Sequence, residues 1–156
     1  MMTRNRNFTL QPLVNLAQQK NEAAARNFGQ LNQHQQAAQA KLDKLLQYRK
    51  DYQARFQEAA KNGMNQSDLS NFQAFIQRLD EAIAQQRAAN EHARSSMDAG
   101  RDQLKHAHRT VKSLDTLAQR HNENEKKLVA KTEQRQQDEH SGRDATIKAA
   151  TKQNEN

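Results

Sequence analysis

The sequence predicts an all-α fold, a long two-helix antiparallel coiled-coil hairpin with an overhanging C-terminal helix. Three observations carry this. The 156 residues are only 34% hydrophobic, with a mean hydropathy of -1.22. That is too little for a globular core of this length but enough for a narrow seam. Ala, Gln, Lys, Arg, Glu and Leu dominate, and one proline and four glycines are the main helix breakers. Apolar residues recur at 3-and-4 spacing in two long series with one break between them, a regularity that disorder does not produce.

Residues 1–8 read as a flexible N-terminus. The run Met1 to Phe8 holds basic residues but no apolar stretch behind them, so it is not a secretory signal. The first helix is expected over residues 9–62, with Pro12 tolerated in its first turn. Leu10, Ala17, Ala24, Leu31, Ala38, Leu45, Tyr52 and Ala59 recur at heptad spacing, accompanied by Val14, Asn21, Phe28, Gln35, Leu42, Arg49 and Phe56. The polar members loosen the seam but help to fix its alignment.

A turn is expected over residues 63–67. Gly63 suits the left-handed position after a helix, and Asn65 or Ser67 can cap the next one. The second helix, residues 68–140, carries Leu69, Ile76, Ile83, Asn90, Met97, Leu104, Val111 and Ala118, with Phe72, Leu79, Gln86, Ala93, Gly100, Ala107 and Leu114. A short link forces two long helices to fold back antiparallel. With the turn centred on Met64, Phe56 faces Phe72, Tyr52 faces Ile76, Leu45 faces Ile83, Val14 faces Leu114 and Leu10 faces Ala118. Phe28 falls opposite Gly100, where its ring is expected to fill the volume of the missing side chain. Two separately found repeats that mesh in one register favour a hairpin, whose arm of about 50 residues would be on the order of 75 Å long.

From about residue 120 the apolar rows fail. His121, Glu125 and Arg135 occupy core slots and Leu128 is the main exception, so an exposed, fraying overhang is expected. Ser141-Gly142 reads as its end, with residues 141–156 a disordered tail.

No catalytic constellation is present. His106 and His108 point to different helix faces and cannot share a metal ion, and the chain has no cysteine. The glycines are isolated, so none forms a phosphate loop, and a two-helix seam offers no concave pocket. The expectation is a protein with no enzymatic activity, cofactor or metal. No stretch approaches ~18 consecutive apolar residues, so no membrane insertion is expected, and the chain reads as cytoplasmic.

The formal charge of +7 leaves acidic partners open. Arg101, Lys105, Arg109, Lys112, Arg120, Lys126, Lys127 and Lys131 are interleaved with Asp102, Asp115, Glu123 and Glu125. This reads first as a solvated helix face of mixed sign, with docking on an acidic protein surface as the alternative. No aromatic residue lies among these charges, which counts against nucleic-acid binding. Tyr48 and Phe75 fall outside both core rows near the bend; packing at the tip and anchoring of a partner are both open to them.

The bend also carries a family resemblance. Leu45, Tyr48 and Tyr52 form L-x-x-Y-x-x-x-Y, and Phe72, Phe75, Ile76, Leu79, Ala82 and Ile83 form [FY]-x-x-F-I-x-x-L-x-x-A-I. Together across a short turn, these blocks resemble the flagellar export protein FliJ family, most clearly over residues 40–87 and more loosely over 8–130. The resemblance implies a stalk of the flagellar type III export apparatus, similar to the central stalk subunit of rotary ATPases. Its implied partners are the hexameric export ATPase FliI and its regulator FliH, the export gate protein FlhA, and export chaperones. The gate-binding patch would be Lys41, Leu45, Tyr48, Tyr52, Phe75, Leu79, Ala82 and Gln86, of which Lys41 and Gln86 depart from the family pattern. Arg109, Lys112, Arg120, Lys126 and Lys127 are the candidates for contact with the ATPase ring. The stalk of a virulence secretion system and a basic hairpin that binds nucleic acid are the rival readings; the bend motifs favour the flagellar one.

Overall fold

The structure, a computed structural model, describes residues 9–155. The N-terminal segment 1–8 lies outside the described residues, as does Asn156. Two helices account for almost everything described: α1 spans Gln11–Lys61 and α2 spans Gln66–Asn154. They pack against each other, with no strand among the described residues. The all-α hairpin expected from the two heptad series is the fold. Contacts divide the chain into one unit of residues 18–109 and another of residues 1–17 with 110–156.

The bend lies in the first of these. Helix α1 closes with Asn62 N–H donating to the Ala59 carbonyl at 3.2 Å and Gly63 N–H to the Ala60 carbonyl at 3.3 Å. Gly63 has φ 88°, a left-handed conformation open to glycine at no steric cost. Asn65 Oδ1 accepts the Asp68 N–H at 2.8 Å, an N-cap that satisfies one of the helix's orphan donors. Because Asn65 rather than Ser67 is the cap, α2 starts at Gln66, two residues before the expected position.

In the 18–109 unit, Leu42, Leu79 and Ile83 form a buried cluster against which Leu45 packs, as the heptad pairing of Leu45 with Ile83 requires. Ala93, Asn90 and Gly100 are also buried. The seam contains polar ties: Gln86 Nε2 donates to the Ala38 carbonyl at 3.0 Å, and Asn90 Nδ2 to Gln39 Oε1 at 2.7 Å. The Oδ1 atoms of Asn21 and Asn90 are buried without a hydrogen-bond partner among the described residues.

The Phe28–Gly100 expectation needs a correction. The two residues do face each other, but only the Phe28 Cα comes within 3.9 Å of a Cβ built on Gly100. The space is taken by Leu31, whose Cδ1 would lie 2.6 Å from that Cβ. The Phe28 ring turns aside, with the Arg101 guanidinium 5.8 Å from its centroid. An aliphatic chain one turn further along α1 reaches into the gap more easily than a flat ring directly opposite it.

In the other unit, α1 opens with Val14 N–H donating to the Leu10 carbonyl at 3.0 Å, and Pro12 sits in that first turn, where a missing N–H costs little. The helix starts at Gln11, two residues later than expected, because Thr9 and Leu10 form a turn ahead of it. Val14 and Ala17 are buried, and Leu10, Val111, Leu114 and Ala118 are half-buried. His121 and Glu125 are half-buried as well, and every described residue from Lys126 onward is exposed. Leu128, the apolar exception of the overhang, is itself exposed.

Helix α2 does not end near residue 140. It runs through Ser141 and Gly142 to Asn154, so the disordered tail expected over residues 141–156 is replaced by helix as far as that residue. Gly142 makes no left-handed turn, since Gly63 is the one positive-φ glycine among the described residues. His140 Nδ1 lies 3.2 Å from Asp144 Oδ2 across it, and Thr146 Oγ1 donates to the Gly142 carbonyl at 2.8 Å. One helical glycine costs about 1 kcal/mol, and helix already nucleated on both sides absorbs that.

Candidate partner-docking face

Lys41, Leu45, Tyr48 and Tyr52 follow one another at spacings of four, three and four on α1. Phe75, Leu79, Ala82 and Gln86 do the same on α2. Such spacing puts each set on one side of its helix. The antiparallel register then brings the sets together: the rings of Tyr52 and Phe75 meet at 4.3 Å between centroids, inclined by 45°. Tyr52 also stacks on Phe72 at 5.1 Å, and Phe72 on Phe56 at 3.7 Å. The tip is therefore an aromatic ladder in which Tyr52 contacts both Phe72 and Phe75.

The eight residues divide by exposure. Leu79 is buried, and Leu45, Tyr52, Ala82 and Gln86 are half-buried. The Gln86 amide is committed to the Ala38 carbonyl. Tyr48 is 57% exposed and Phe75 44%, and Lys41 is exposed. Phe75 is held by its ring contact with Tyr52, and Tyr48 stands one turn before Tyr52 on the same side of α1; exposed aromatic surface of this kind is the composition of an interface anchor. Beside it lies an open groove of ≈ 290 Å³ whose lining includes Tyr52, Arg55, Phe56, Met64, Asp68 and Phe72.

The other side of the same unit differs. Arg49, expected in the seam, is half-buried and reaches Asp80, with Nε donating to Oδ1 at 2.5 Å and Nη2 to Oδ2 at 3.4 Å. Arg49's hydrogen bond, more than its charge, holds the Asp80 carboxyl below the usual carboxylate range; the same hydrogen bond, first among causes, raises Arg49. Leu46, Ile83, Ala84 and Arg87 adjoin this pair around a groove of ≈ 570 Å³. Sequence reasoning missed this side. Its signal was Leu46, an apolar residue beside a core position with no partner in either row. Lys44 and Arg78 were also missed, although they stand four residues before Tyr48 and three after Phe75.

The basic candidates are all exposed. Arg109 belongs to the 18–109 unit and is not without a partner. Lys112, Arg120, Lys126 and Lys127 belong to the other unit, within one broad arc of α2, but Glu123 falls in that arc between Arg120 and Lys127. At three and four residues' spacing it is a neighbour of both, so this face is mixed in sign. No three His, Asp or Glu side chains converge into a metal site among the described residues, and no helix there is long and apolar enough to cross a membrane.

Fold and site together define a class: an all-α coiled-coil hairpin that presents an aromatic face beside its bend. Within that class, the chain belongs to the flagellar FliJ protein family, whose model matches residues 6–149. It is 33% identical over 78 residues to the flagellar FliJ protein of Salmonella typhi, covering 50% of this chain and 53% of that protein. It is 27% identical over 111 residues to the flagellar FliJ protein of Escherichia coli strain K12, covering 71% and 76%. The chain thus spans about half the length of the Salmonella relative. No solved structure matches it. Membership in this family makes the protein a component of the flagellar export apparatus.

Proposed function

We propose that the protein is a non-catalytic stalk of the flagellar type III export machinery. It binds and stimulates the hexameric ring of the export ATPase FliI, contacts the gate protein FlhA, and works beside the regulator FliH and the export chaperones. Its place is the cytoplasm, peripherally associated with the inner membrane at the flagellar base. The observation that carries this reading is the pair Tyr48 and Phe75, both exposed, with Phe75 in ring contact with Tyr52 and Tyr48 one turn before Tyr52, inside the stretch that the family matches. The gate engages that face, through Lys41, Leu45, Tyr48, Tyr52, Phe75, Leu79, Ala82 and Gln86, with Leu45, Tyr52 and Leu79 shared between partner and packing. The ATPase ring takes the stretch with Arg109, Lys112, Arg120, Lys126 and Lys127.

The test is a pull-down against purified export ATPase and export gate, using wild type and the variant Tyr48→Ala with Phe75→Ala. Loss of gate binding with ATPase binding retained is expected. Deleting residues 1–8 and 120–156 is expected to abolish ATPase stimulation, and unchanged stimulation would refute the assignment of the ring contact.

A further inference from the structure

The aromatic face and the side opposite it differ in charge, and the difference specifies what the face can receive. Around Tyr48 and Phe75 the rim is cationic. Lys44 lies one turn before Tyr48 and Lys41 two turns before it, while Arg78 lies one turn after Phe75. All three are exposed, and among the described residues none is paired with a carboxylate. Asp51, three residues after Tyr48, accepts the Gln47 amide at 2.9 Å; Glu81, three residues after Arg78, makes no ion pair with it; and Asp68 lines the groove at the bend together with Arg55. On the opposite side the central cation, Arg49, is already neutralised by Asp80.

We infer that the aromatic face docks an acidic, amphipathic protein segment: an apolar side chain seats against Tyr48 and Phe75 while carboxylates meet Lys41, Lys44 and Arg78. Charges left unpaired on the free protein at the edge of an apolar contact are the arrangement that steers an oppositely charged partner and fixes its orientation. A neutral apolar segment would leave three cations beside a drying interface without partners, which is unfavourable. The inference rests on the reading that this face engages the gate, and adds the chemistry of the gate segment that would fit.

The experiment measures affinity by titration calorimetry or fluorescence anisotropy, at low salt and at about 0.5 M salt, where screening acts within ~4–5 Å. The proteins are wild type, K41Q/K44Q/R78Q, and Tyr48→Ala with Phe75→Ala, each checked by circular dichroism for native helicity. The ligands are the purified gate protein and two synthetic helical peptides, leucines on one face and either glutamates or lysines at the rim. The glutamate peptide and the gate are expected to bind, with the charge-neutralised triple variant weakened on the order of tenfold at low salt, as three exposed ion pairs would give. Its affinity should vary less with salt than that of wild type. Equal binding of the lysine peptide, or a triple variant that binds as wild type while Tyr48→Ala with Phe75→Ala abolishes gate binding, overturns the acidic-segment inference and leaves the gate reading standing. Gate binding untouched by the aromatic substitutions overturns both.

Discussion

Leu31 and Gly100 share one place in the seam: the δ-methyl of Leu31 stands where Gly100 would otherwise carry its Cβ, 2.6 Å away. The glycine is thus a packing device. Two effects oppose each other on adding a methyl there. Alanine gains about 1 kcal/mol of helix propensity, and the end of a flexible leucine must swing aside. Gly100→Ala is expected to fall within about 1 kcal/mol of wild type in urea denaturation, because the obstacle can rotate. Gly100→Val has no such escape and is expected to cost about 1–3 kcal/mol. Leu31→Ala in the same chain should relieve most of that penalty, and strict additivity of the two changes would remove the packing explanation.

Asn90 sits buried in a heptad slot where the other members are mainly apolar. Its amide donates one hydrogen bond to Gln39 and its own carbonyl oxygen has no partner among the described residues. Asn90→Leu is expected to stabilise the hairpin by about 1 kcal/mol, since an unmet buried acceptor costs more than its amide's single hydrogen bond returns. The urea midpoint checks this, and a lowered midpoint would mean that the Gln39 tie outweighs the buried oxygen.

The Arg49–Asp80 pair sets an acid limit. The folded carboxyl of Asp80 lies below its ordinary value, so its contribution is present at neutral pH, above the unfolded carboxylate range. It is lost as pH falls through the depressed folded value. Asp80→Asn is expected to lower the melting temperature slightly at pH 7 and to melt like wild type once the pH lies below the depressed folded value of Asp80. A deficit that persists undiminished in acid would show that the aspartate acts by something other than its charge.

At the tip, Phe72 stacks on both Tyr52 and Phe56. Phe72→Ala is expected to cost about 2 kcal/mol, at the low end for an aromatic truncation because these rings are only half-buried. Amide hydrogen exchange around residues 52–76 should quicken most. Uniform quickening along both helices would contradict a local ladder.

Much of this was legible from periodicity. Phe56 does stack on Phe72, Leu45 does pack on the Ile83 cluster, and Val14 and Ala17 are buried. Heptad spacing reports which side of a helix must avoid water, and a single short turn fixes how two such sides align. What it does not report is rotamer choice, so Leu31 rather than Phe28 fills the gap at Gly100. Nor does it report where an unburied helix stops. Ser141-Gly142 looks like a terminator only if the backbone turns left-handed there, and no tertiary contact demands that it do so. In the candidate docking face, Tyr48 and Phe75 were visible as aromatics outside the core rows. Lys44 and Arg78 were not, because a cation on a helix exterior acquires meaning only from the neighbours that the register supplies.

From Lys126 to Asn154, α2 has no buried side chain, so its order depends on main-chain hydrogen bonds and neighbouring turns alone. A stretch of this kind melts by gradual unwinding. Warming the protein should therefore draw down ellipticity along a slope well before the abrupt transition of the paired region. Any molecule that grips this stretch would alter the slope and leave the abrupt transition where it was.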